Sequence, residues 1–285
     1  MNVTWLQYKS LGNVQKNFEK LQTLLTHLKP KNKADLIILP ELCLWDYFCI
    51  TENGAHFDDA LSLDSPIIDD LSKIAKKLGS VIVFPFFEKR AQGIYHNSVI
   101  AIEKDGSIAG LYRKMHIPDD PGFYEKFYFI PGDLGFKPIS TSVGKLGILI
   151  CWDQWFPEGA RAMALNGADL LIYPTAIGWD DNEPKSVYAS QVDAWQTIMR
   201  AHSIANGLHT IAVNRTGREG HLNFWGNSFC ADPFGKLLVS DKSNKETITT
   251  IRIDLKQTSE ARKIWPFFRD RRVDGYQDLL KIWGN

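Results

Sequence analysis

The chain is short of cysteine. Its four, Cys43, Cys49, Cys151 and Cys230, are too few and too scattered for a disulfide scaffold. No CxxC pair is present to hold zinc, and no histidine pair completes a set around Cys43 and Cys49, so neither a metal nor a cofactor is expected. Net charge is absent as well. Thirty-three basic residues balance 33 acidic ones, which leaves no footprint for nucleic acid and no acidic tail. No run of about 18 apolar residues occurs, so no membrane-crossing helix is expected. The start, MNVTWLQYKS, lacks the basic and apolar regions of a secretion signal. Together these absences point to a reducing cytoplasm, which keeps Cys151 a free thiol.

What remains is an ordinary globular composition, 44% hydrophobic and 23% charged, enough for a substantial core. The stretch from Gly144 to Ile177 organises it. Leu146 to Ile150 is an apolar run of strand length, and Cys151 ends it. Pro157 suits a first helical position, and Glu158 in the first turn suits the helix dipole. Ala160, Met163, Ala164 and Leu165 form a helical face that Gly167 can end. Asp169 to Tyr173 is a second buried strand. Cys151 therefore stands where a parallel strand stops and the chain turns towards a helix, the rim at which open α/β sheets place their chemistry. The competing reading is a structural cysteine in the core.

The rest of the chain repeats the plan. Val3 to Gln7 reads as a strand, and Val14, Phe18, Leu21, Leu25 and Leu28 recur at helical spacing. Leu36 to Leu39 is an apolar strand ending at Pro40-Glu41, and burying a carboxylate there requires a partner. Ser65-Pro66 opens a helix with Ile67, Leu71, Ile74 and Leu78 inward and Gly79 as its stop. Val81 to Phe84 is a buried strand. His96 to Ile102 and Ser107 to Arg113 form a hairpin around Lys104-Asp105-Gly106, and the second strand delivers Lys114. Residues 115–133 form a long stretch without helical period, rich in Pro, Gly and aromatics, read as a loop packed over a site. Val187 to Asn206 is helical, with Val192, Trp195, Ile198, Met199 and Ile204 inward. His209 to Asn214 is a strand, and Ser228 to Ala231 pairs with Lys236 to Ser240. Thr247 to Asp254 alternates like a strand near a sheet edge. No linker composition separates the halves, so residues 1–285 are expected to form one domain of two face-to-face sheets with helices outside. The basic, aromatic tail, from about residue 256, suits an arm lying on a second copy of the chain.

Three chemically able residues end strands: Glu41, Lys114 and Cys151. A thiol is mostly protonated at neutral pH and needs a base. A partly desolvated Glu41 could supply it. Lys114 and the Trp152 N–H could hold a developing oxyanion. The alternative is a buried Glu–Lys pair beside a core cysteine.

Pro40-Glu41, Tyr112-Arg113-Lys114 and Cys151-Trp152-Asp153 resemble the three signatures of the nitrilase, or carbon–nitrogen hydrolase, superfamily, in order and along nearly the whole chain. The resemblance implies an α/β fold, a four-layer α-β-β-α sandwich, with a Glu-Lys-Cys triad, no metal and a homo-oligomer. It also implies a second glutamate near the triad, matched by Glu125, with a supporting role. RKMHIPDDPGFYEKFYFIPGD and FRDRRVDGY are most similar to members that hydrolyse N-carbamoylputrescine to putrescine, carbon dioxide and ammonia. A small cationic ureido substrate follows, along with an acid at the far end of the pocket. Glu183 matches the family's Glu-Pro, with Asp46, Asp180 and Asp181 as rivals and Tyr47, Tyr124 and Trp179 as candidate walls. Other readings are an ω-amide, β-ureidopropionate or nitrile as substrate, His116 or His202 as base, and a non-catalytic binding protein.

Overall fold

The computed structural model describes residues 1–28 and 33–283; Gly284, the last residue of the tail read above, lies outside them. Two six-stranded sheets face each other. The first runs, in spatial order, Thr247–Arg252, Asn2–Gln7, Leu36–Ile38, Val81–Ala91, Ile94–Ile102 and Ile108–Arg113. Leu36–Ile38 is parallel to both its neighbours, and the remaining pairs are antiparallel. The second sheet runs Leu237–Ser240, Phe229–Ala231, His209–Asn214, Leu170–Thr175, Gly144–Ile148 and Ile139–Thr141. Its centre, Leu170–Thr175, is parallel to the strands on either side.

The layering follows from strand periodicity, because successive side chains point to opposite faces. Val3, Trp5, Leu36, Ile38, Val81 and Val83 face the second sheet and join its core. Leu6, Ile37, Leu39, Ile82 and Phe84 face the other way, onto helices Val14–Thr26 and Pro66–Leu78. Helices Pro157–Leu165 and Tyr188–Asn206 cover the second sheet through Ala160, Met163, Trp195 and Met199. The result is the α-β-β-α order. Burying one Leu or Ile side chain contributes about 1.5–3 kcal/mol, so a sheet with two apolar faces is stable only with both covered.

Several local expectations change. On Pro66–Leu78 the deepest residues are Ile68, Leu71 and Ala75, while Ile67, Ile74 and Leu78 flank them. On Tyr188–Asn206 the buried face is Trp195, Met199, His202, Ser203 and Asn206, and Ile204 is exposed. Five residues past Met199 is about 140° around a helix. A third, three-stranded sheet of Thr216–Glu219, Leu222–Trp225 and Gly178–Asp180 was not expected; its strands are too short to show a period. The loop 115–133 contains one helical turn, Glu125–Tyr128. Thr247–Arg252 alternates half-buried and exposed residues at the sheet edge, as its pattern suggests. In the tail, Leu279, Leu280, Ile282 and Trp283 are exposed.

Candidate active site

Glu41 leaves the strand Leu36–Ile38, and the next residue, Leu42, has φ 46°. Cys151 follows Gly144–Ile148 and has φ 42°. Non-glycine residues in this left-handed region are strained and need surrounding structure to hold them. At Cys151 that support is Asp153. Its Oδ2 accepts from Ile150 N–H at 2.9 Å and Tyr112 O–H at 2.8 Å. Its Oδ1 accepts from His116 N–H at 3.0 Å and lies 2.7 Å from His116 Nδ1. The chain thus turns sharply into Cys151–Trp155 with the thiol at the bend.

Lys114 follows the strand Ile108–Arg113. Arg113 fixes that strand end, donating through Nε and Nη2 to both Glu88 oxygens at 2.8 and 2.6 Å. Gly132 packs so closely that a Cβ there would lie 2.1 Å from the Arg113 carbonyl oxygen, and its N–H donates to Lys114 O at 2.8 Å. Only glycine allows this approach. The loop is thereby pinned beside Lys114, and Glu125, at the start of its helical turn, is brought in.

The side chains of Glu41, Lys114 and Glu125 are completely buried. Lys114 Nζ donates to Glu41 Oε1 at 2.9 Å and to Glu125 Oε2 at 2.7 Å. Burial pulls Lys114 down, but Glu125 and Glu41 outweigh it and hold the ammonium well above its ordinary range. Burial pushes Glu125 up, and Lys114 opposes the shift. The Cys151 thiol is also pushed well up, by burial and then by Glu41, with Lys114 opposing. A thiol so placed is protonated at neutral pH and reacts only if a neighbour takes its proton. Glu41 Oε2 is buried with no hydrogen-bond partner among the described residues, so one carboxylate oxygen is free to do so.

Cys151 and Glu125 line a cavity of about 530 Å³ with Trp152, Trp155, Trp225, Asp120, Asp180 and Glu183 around it. This suits a small ligand. Of the expected binding residues, Trp152 and Glu183 line it, and so does the rival Asp180. Tyr47, Tyr124, Trp179 and Asp46 do not, and those assignments are corrected. Tyr47 sits behind Glu125, its O–H donating to Glu125 Oε1 at 2.7 Å. Asp46 faces a different cavity, beside Ser10 and Arg218. Trp179 stacks on Tyr188 with ring centroids 4.9 Å apart. Phe123, not Tyr124, reaches the wall. His116 is held by Asp153 and stacked on Phe156, His202 pairs with Tyr173, and neither lines the cavity.

Sequence reasoning missed Asn97. It is fully buried, and its Nδ2 donates to Glu41 Oε1 at 2.7 Å and reaches Glu125 Oε2 at 3.5 Å. The available signal was His96-Asn97-Ser98, three polar residues at the head of an apolar strand. Asn214 was missed too. Its side chain clamps Ile177 N–H and C=O at 3.0 and 2.9 Å, holding the cavity wall next to Ala176, whose carbonyl accepts from the Cys151 thiol at 3.7 Å.

Comparison with known proteins gives the family and agrees with the fold. A model of the carbon–nitrogen hydrolase family matches residues 2–263. N-carbamoylputrescine amidase of Arabidopsis thaliana is 40% identical over 292 residues, spanning 99% of this chain and 96% of that protein. A citrullinase of Francisella tularensis is 39% identical, spanning 99% and 98%. The crystal structure of a carbon–nitrogen hydrolase from Helicobacter pylori G27 superposes with a TM-score of 0.93 at 48% identity, covering 100% of this chain and 99% of that one.

Proposed function

The chain belongs to the carbon–nitrogen hydrolase family, and from that premise we propose that it hydrolyses N-carbamoylputrescine, with Cys151 as nucleophile and Glu41 as base. Glu41 Oε2 takes the thiol proton as Sγ attacks the ureido carbonyl carbon. The oxyanion forms near the Lys114 ammonium and the Trp152 N–H, where a fixed donor typically contributes about 3 kcal/mol. The C–N bond to the diamine breaks, and Glu41 returns its proton to the leaving nitrogen. Water then loses a proton to Glu41 and attacks the S-carbamoyl carbon. Carbamic acid leaves, the thiol is restored, and carbamic acid falls apart to carbon dioxide and ammonia. Glu125 keeps Lys114 charged and in place throughout.

The observation that carries the substrate assignment is the charge of the cavity wall. Apart from Glu125, which is paired with Lys114, the acids Asp120, Asp180 and Glu183 line it, and among the described residues no Lys, Arg or His does. A distal ammonium is favoured there and a carboxylate is not. The 39% identity to a citrullinase supports a second reading, citrulline, which ends in an ammonium and a carboxylate. The wall offers that carboxylate no cation. Initial rates with N-carbamoylputrescine, citrulline and β-ureidopropionate decide between them. The cationic ureide should have the highest kcat/KM; preference for either acid would overturn the assignment.

A further inference from the structure

We infer that Asn97 is a positioning residue for Glu41, fixing which carboxylate oxygen faces the thiol. The inference rests on the reading of Glu41 as base. Asn97 touches both carboxyl groups and the main chain of Lys114. Its main-chain carbonyl accepts Lys114 N–H at 2.9 Å. Its amide donates to Glu41 Oε1 at 2.7 Å and points its other hydrogen towards Glu125 Oε2, 3.5 Å away. Glu41 Oε1 is thus occupied twice, by Asn97 and Lys114, while Oε2 has no partner among the described residues. A carboxylate held by one oxygen presents the other in a fixed direction. The amide also adds a neutral donor to a buried group of two carboxyl groups and one ammonium. The strand register, with Asn97 opposite Phe87 in a sheet interior, leaves the side chain little freedom to move away.

The test is the rate of Cys151 alkylation by iodoacetamide at neutral pH, followed by peptide mass for wild type, Glu41→Gln, Asn97→Ala, Asn97→Ser and each Asn97 change combined with Glu41→Gln. It needs no assumption about the substrate. Glu41→Gln should slow alkylation strongly. Asn97→Ala should slow it about tenfold when Glu41 is present and leave it unchanged when Glu41 is already Gln, because residues that act through one another are not additive. Asn97→Ser, which keeps a donor, should slow it less and stands in if the alanine variant does not fold. Alkylation of Glu41→Gln at the wild-type rate removes Glu41 as base, and the inference with it. A loss of the same size with and without Glu41, or no loss in either Asn97 variant, overturns the inference alone.

Discussion

Asp153→Asn changes one oxygen to an NH2 of nearly the same size, so packing is preserved and only hydrogen bonding is altered. Asp153 accepts four contacts: Ile150 N–H and Tyr112 O–H on Oδ2, His116 N–H and His116 Nδ1 on Oδ1. The amide can be placed either way round. With NH2 at the Oδ2 position, the Tyr112 hydroxyl can rotate to accept, but Ile150 N–H cannot. With NH2 at Oδ1, the His116 ring can change tautomer, but its backbone N–H cannot. Each orientation leaves one backbone donor facing another donor. A buried unpaired donor costs about 1–3 kcal/mol, and loss of the charge weakens the remaining bonds. The sum is about 2–4 kcal/mol. Urea unfolding should show a lower midpoint with an unchanged slope. The turn holding Cys151 at φ 42° loses its anchor at the same time, so kcat should fall about tenfold or more. A stability change below about 0.5 kcal/mol with normal turnover would refute the claim that Asp153 holds the thiol's bend.

Two further outcomes follow from other groups. Replacing Asp180 and Glu183 together by Asn and Gln should raise KM for a cationic ureide about 3- to 10-fold and leave kcat nearly unchanged, because exposed ion pairs are worth about 1 kcal/mol or less each; an unchanged KM would remove both from binding. Burial lowers His202 from 6.5 to about 4. Its neutral form therefore contributes stability that is complete above pH 6.5 and is lost as pH falls towards 4, where the unfolded chain alone binds the proton. Between pH 7 and 5 this amounts to about 2 kcal/mol, and His202→Gln should flatten the urea-midpoint profile by that amount.

Residues at the ends of long apolar runs were legible in the sequence. Glu41 and Lys114 each end a strand pattern with a charge that a core accepts only when paired, Cys151 ends another with a thiol, and the structure buries all three. The layering was legible for the same reason, since runs such as Leu36 to Leu39 imply cover on both faces. Glu125 was visible only through likeness to the family, because its loop has no period to place it. Tyr47 was misread because an aromatic near the first signature looks like a pocket wall, whereas its direction depends on the Glu219 carboxylate that accepts its N–H at 2.6 Å from a distant strand. Asn97 was passed over because His96-Asn97-Ser98 also reads as the polar start of a hairpin strand. The third sheet was hidden by strands of three and four residues.

Glu41 and Lys114 hang from one sheet and Cys151 from the other. Neither half of the duplicated plan owns a complete set of reacting groups; they meet only across the seam between the two layers. A slip of that seam too small to expose any core would still separate acid from sulfur. Turnover is therefore a finer gauge of how the layers are seated than any measure of helix or strand content.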